Sequence, residues 1–177
     1  MEEELHIYPI GRMELPIAFS AKDFTKNLNE IKVLPRILDY CIENLDAVHL
    51  QASYRQGGWS IHQIIHHIAD SHMNAFIRTK LMLTEDNPTI KPYNQDDWAL
   101  SPDVSEVPVN YSITLIHALH HRWLQLLSSL REEQLMRTYF HPEYQKTVSL
   151  WQVVHTYAWH GKHHAEQIRQ LRIRNDW

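Results

Sequence analysis

The segment WHGKHHAEQI, residues 159–168, places His160, His163 and His164 in a stretch that otherwise reads as helix. The chain carries 14 His against 4 Gly and 1 Cys, and one His follows another four residues later at His62/His66, His117/His121 and His160/His164. Side chains four apart on a helix are neighbours, with Cβ atoms about 5–6 Å from each other. That spacing suits two imidazole nitrogens meeting one metal ion at about 2.0–2.1 Å. His160 and His164 fall inside an apolar stripe of Leu150, Val153, Val154, Tyr157, Gly161, Ala165, Ile168 and Leu171, whereas His155 and His163 fall well outside it. Burying two imidazoles side by side is unfavourable unless their nitrogens find partners. A shared metal satisfies both; a pair of hydrogen-bonded core histidines is the plainer alternative. Gly161 costs about 1 kcal/mol of helix propensity, and its bare backbone lets a helix or ligand come close.

A metal needs a third ligand, and the segment 60–83 offers His62, His66, His67 and His72. Its core stripe is Ile61, Ile64, Ile65, Ile68 and Phe76, with His72 near the middle. His67, Ser71, Asn74 and Arg78 form one flank, with no Glu or Lys among them, as one wall of a polar cavity would. His62, His66 and Asp70 form the other flank, which could equally face solvent. Periodicity favours His67 over His66 only weakly and leaves His72 open. Three neutral imidazoles would leave a divalent ion's charge uncompensated and a position free. A water bound there has its pKa lowered to about 7, and a bound thiol is deprotonated outright. No carboxylate stands beside the ligands as the Glu does in HExxH, which leans toward thiol transfer over amide or ester hydrolysis. Asn74 and Arg78 could hold a polar or anionic part of a thiol, His141 could line the mouth of the site, and His163 and Asp70 could orient ligands. A fourth protein ligand such as His141 or His72 would close the site and indicate a metal held for stability alone.

These side chains need long helices to position them. Ser20 can cap a helix to about Leu45 with Phe24, Leu28, Ile31, Leu34, Leu38, Cys41, Ile42 and Leu45 on one side; Pro35 inside it should kink or split it. Ser60 with Gln63 opens a second helix to about Leu83, and Ser149 with Gln152 opens a fourth to about Arg174. A third covers about 111–130, with His117 and His121 facing away from its apolar stripe and His120 at the edge. Residues 1–19 look extended, 46–58 form a connection, 84–109 with four Pro form a long lid-like loop, and 131–148 are irregular with room for a short strand or turn. The expected fold is all-α: a single domain, residues 1–177, forming a four-helix bundle with long loops. The order in which the helices pack is left open.

The net charge of -4 argues against a nucleic-acid groove, and no stretch approaches the roughly 20 apolar residues that span a bilayer. The lone Cys41 and an acidic N-terminus without an apolar signal run point to the cytoplasm.

The run GGWSIHQIIHHIADSH together with HGKHHAEQ resembles the DinB/YfiT-like superfamily of metal-binding four-helix proteins, closest to its YfiT-type branch. YPIG at 8–11, YRQGGW at 54–59, KPY at 91–93 and YFHPE at 139–143 extend the likeness over almost the whole chain. The resemblance implies His67, eight residues after Trp59, with His160 and His164 as metal ligands. It further implies zinc or nickel in the site, a homodimer, and metal-dependent hydrolysis or S-transfer from bacillithiol, a small thiol co-substrate, to electrophiles.

Overall fold

The structure is a computed structural model that describes residues 2–177. Four long helices carry it: α2 (Ala21–Ile42), α4 (Ile61–Thr84), α7 (Val109–Ser128) and α9 (Leu150–Asn175). Between them lie the short helices α1 (Glu2–Ile7), α3 (Ala47–Leu50), α5 (Gln95–Trp98), α6 (Pro102–Glu106) and α8 (Glu132–Leu135), and a hairpin of β1 (Thr138–His141) and β2 (Lys146–Ser149).

The helix starts follow from their caps. Ser20 Oγ accepts from Asp23 N–H, and Ser60 and Gln63 bond reciprocally, each side chain accepting from the other's backbone N–H. At α9, Gln152 Oε1 accepts from the N–H of Ser149. Pro35 does not split α2, which runs as one helix.

Packing runs α2 against α7 and α9, and α4 against α7 and α9. The consecutive long helices α2 and α4 therefore sit on one diagonal, and α7 and α9 on the other. A simple alternating bundle would set them side by side. The long connections make this arrangement feasible. The 84–109 loop carries α5 and α6, and the hairpin closes the 131–148 segment, with Tyr139 paired to Val148 and Phe140 to Thr147.

Two apolar clusters fill the bundle. One gathers Leu38, Ile61, Ile65, Ile116, Ala165 and Ile168. The other gathers Ile31, Phe76, Trp123, Leu127, Leu150 and Val154. Between the clusters lie His72 on α4 and His160 and His164 on α9, while His120 on α7 sits at the edge of the second cluster beside Leu119. The core is thus interrupted by a layer of imidazoles. Cys41 lies in the first cluster, 7 % exposed, and its thiol points at the Ala165 carbonyl.

Residues 2–7 are helical where an extended segment was expected. Arg12 ties this region down by pairing with Glu4, and Gln167 on α9 donates to the Ile7 carbonyl.

Candidate metal centre

The capping box at Ser60 fixes where α4 begins, and so which face carries His67. α9, started by Ser149 and Gln152, carries His160 and His164 one turn apart with ring centroids 4.5 Å from each other. The two helices pack together, so His67 meets both: its ring centroid lies 5.1 Å from His160 and 5.0 Å from His164. One nitrogen from each of the three rings lies within 4.8 Å of the others. His67 Nε2 and His160 Nε2 are 3.0 Å apart.

The donor set fits a divalent cation. Burial lowers His67 to about 4 and holds His160 and His164 well below the ordinary imidazole value, with neighbouring imidazoles adding to the effect on the latter two. The rings are therefore neutral, the form that binds metal. Ligand orientation can be read at His164. Gln167 Nε2 donates to the Ile7 carbonyl, which fixes the amide and turns its Oε1 to His164 Nδ1 at 2.8 Å. Since Oε1 only accepts, His164 carries its proton on Nδ1 and directs an unprotonated Nε2 inward. Trp59 closes one side, its ring 4.6 Å from His67.

The residues read as candidates from sequence separate into distinct places. His72 is fully buried and bonds His160 Nδ1 at 3.3 Å through its Nε2, so it contacts a ligand from outside the trio. His66 is buried, not solvent-facing, and bonds the Val107 carbonyl and Ser112 Oγ; His62 is buried beside it, because the 84–109 loop covers that flank. His163 is likewise buried, not outward, because the N-terminal segment covers it: it packs on Tyr8 and Trp159 and bonds Gln167. His117 is exposed and pairs with Asp39, and His121 is also on the surface. His120 is 1 % exposed, fully inside the core.

On the other flank of α4, Asn74 is half-buried and donates to the Asp70 carbonyl. Arg78 is 9 % exposed and reaches the Lys91 carbonyl at 3.4 Å. Its charge is felt by Tyr93, Tyr139 and His141. Burial pushes both phenols up to about 12, so they stay protonated donors. His141 stacks on Tyr144 and its buried Nδ1 has no partner among the described residues. Asp70, one turn after His67, is pushed up to about 6, by burial first and by Asp103 second. Sequence reasoning gave no role to Trp59, Gln167, Tyr93 or Tyr139, although Trp59, Tyr93 and Tyr139 stand in the motifs that carried the resemblance and Gln167 lies three residues after His164.

Residues 30–168 match the DinB superfamily. The chain belongs to that superfamily. Among DinB relatives, a protein of Oceanobacillus iheyensis named "Putative metal-dependent hydrolase" is 45 % identical over 170 residues, covering 96 % of this chain and 98 % of its own. One from Bacillus cereus with the same name is 45 % identical over 96 % of this chain and 97 % of its own. The solved structure of YfiT from Bacillus subtilis, described as a probable metal-dependent hydrolase with an unusual four-helix bundle topology, superposes with a TM-score of 0.95 at 35 % identity, covering 98 % and 99 % of the two chains. A mycothiol-dependent maleylpyruvate isomerase shares the fold at a TM-score of 0.66 and 13 % identity, over 85 % of this chain and 63 % of its own. Among the described residues no helix is long and apolar enough to cross a membrane.

Proposed function

We propose that His67, His160 and His164 hold zinc or nickel, and that the protein is an enzyme joining a low-molecular-weight thiol of the bacillithiol type to a small electrophile. The observation that carries the thiol reading is Arg78. Its guanidinium is nearly buried, and it has no carboxylate partner among the described residues. A buried charge left uncompensated is costly, and an anionic ligand relieves that cost. Arg78 lies about three turns, roughly 16 Å, along α4 from His67. Helical side chains lean toward the N-terminus, which brings its head closer to the trio. A thiol with its sulfur at one end and a carboxylate at the other would place the sulfur toward the trio and the carboxylate toward Arg78.

When bound, the metal would supply a Lewis acid that ionises a thiol or water. The chain's residues do the rest. Three neutral imidazoles add no negative charge, so the site favours an anionic nucleophile. Trp59 shields His67 from water. The protonated phenols of Tyr93 and Tyr139 can donate to the ligand beside Arg78.

Asp70 supports a second reading. A carboxyl near 6 is suited to accept a proton at neutral pH, and hydrolysis of an amide or ester would use it. The names of the relatives favour this reading too.

Metal content of the purified protein, thiol affinity, and parallel conjugation and ester-hydrolysis assays test the proposal. Arg78→Ala is expected to weaken thiol binding while metal content stays unchanged. Equal thiol affinity in that variant refutes the thiol site. Hydrolysis that is lost in Asp70→Asn, with no conjugation in either protein, would establish the second reading.

A further inference from the structure

Pro35 has a consequence beyond α2. Proline has no N–H, so the carbonyl four residues before it has no helical donor. That carbonyl belongs to Ile31, which is fully buried. It is met from another helix: His120 Nδ1 on α7 lies 2.7 Å from Ile31 O.

A carbonyl accepts and cannot donate, so His120 carries its proton on Nδ1. The opposite choice would press two lone pairs together. A neutral imidazole has one donor and one acceptor, which makes His120 Nε2 the acceptor. It lies 2.9 Å from His72 Nδ1, so His72 donates there and its own Nε2 accepts. His72 Nε2 lies 3.3 Å from His160 Nδ1, so His160 donates in turn. His160 Nε2 is left with a free lone pair, facing His67 Nε2 at 3.0 Å. The rings are neutral because they are buried. His72 and His120 are 0 % and 1 % exposed, and an imidazole taken out of water favours its uncharged form.

We propose that Pro35, by freeing the Ile31 carbonyl, sets the proton positions along His120, His72 and His160 so that His160 presents an unprotonated Nε2 to the metal. The inference rests on the metal reading above and deepens it. Pro35, His120 and His72 are positioning residues. His164 is set the same way by Gln167, and in both cases the chain of hydrogen bonds ends on a backbone carbonyl, Ile7 or Ile31. Backbone carbonyls have fixed polarity, which makes them firmer anchors than a hydroxyl or a water.

The test is a ring nitrogen–proton correlation spectrum of the full chain, 15N-labelled and stripped of metal, assigned with single His substitutions. His72, His120 and His160 are expected to be protonated on Nδ1. Zinc affinity is measured alongside by titration against a competing chelator. His120→Phe is expected to give mixed tautomers at His160 and to weaken zinc binding about 10–100-fold, the usual effect of losing a group that orients a ligand. His120→Gln keeps an amide oxygen that can accept from His72, and should recover most of that affinity. A packing role alone would favour Phe over Gln.

A wild type with His160 protonated on Nε2 overturns the proposal while leaving the metal reading intact if zinc still binds. So does a His120→Phe variant with unchanged tautomer and zinc affinity. A wild type that binds no zinc overturns the metal reading and the proposal together, whatever the spectrum shows. Should His120→Phe fail to fold, the wild-type spectrum decides by itself.

Discussion

Replacing Gly161 with Ala sets two effects of known sign against each other. In an unconstrained helix the change is favourable by about 1 kcal/mol. Here the added Cβ would lie 2.2 Å from Leu34 Cδ2, 3.1 Å from Cδ1 and 3.2 Å from Cγ. The whole isopropyl end of Leu34 must therefore move, and Leu34 is 2 % exposed among packed neighbours. Overpacking of this kind costs about 1–3 kcal/mol. The net expectation is a loss of about 0–2 kcal/mol, with the His160–His164 turn pushed off α2. Leu34→Ala alone leaves a cavity and costs about 2–5 kcal/mol. Combined, the two changes partly compensate, with a coupling energy of about 0.5–3 kcal/mol. The assay is urea unfolding of all four proteins in chelator near neutral pH, with zinc affinity measured in parallel. A Gly161→Ala variant more stable than wild type by the full propensity gain, or a cycle with no coupling, would refute the close approach of α2 and α9 at this turn.

Acid sensitivity is a second expectation. Burial lowers His120 from an ordinary value of 6.5 to about 4, so between those values the unfolded chain binds a proton that the native one does not. Stability then rises with pH, is complete above about 6.5, and is lost as pH falls toward 4, by about 3 kcal/mol from this residue alone. Metal-free unfolding midpoints that stay flat across that window would contradict it. Thr79→Val removes the acceptor of the buried Trp123 Nε1–H, 3.1 Å away, and should cost about 1–3 kcal/mol in urea unfolding. His160→Ala is expected to abolish stoichiometric zinc binding while far-UV circular dichroism stays native; loss of the fold would indicate a structural metal instead.

Much of this architecture was legible in local sequence. The four long helices follow from apolar periodicity and from Ser20, Ser60 with Gln63, and Ser149 with Gln152, because capping is a contact within one turn. The inward pair His160 and His164 was readable for the same reason. What required the fold was burial imposed by distant segments. His163 lies off the α9 stripe and is covered by Tyr8, just past the N-terminal helix; His66 lies off the α4 stripe and is covered by Val107. Neither cover leaves a periodic trace in the helix it hides. The diagonal placement of α2 and α4 was equally invisible, since loops of this length permit several packings. Pro35 read as a helix breaker; the carbonyl it leaves open, that of Ile31, is met by His120, 89 residues on.

Cys41 bears on how such a protein would survive its own chemistry. Its sulfur hands its hydrogen toward the Ala165 carbonyl, and burial pushes the thiol up to about 11. At cellular pH almost none of it is ionised, and only the ionised form attacks electrophiles. Under the thiol-transfer reading proposed above, the protein is thereby spared from labelling itself, and its lone cysteine stays out of mixed disulfides with small thiols.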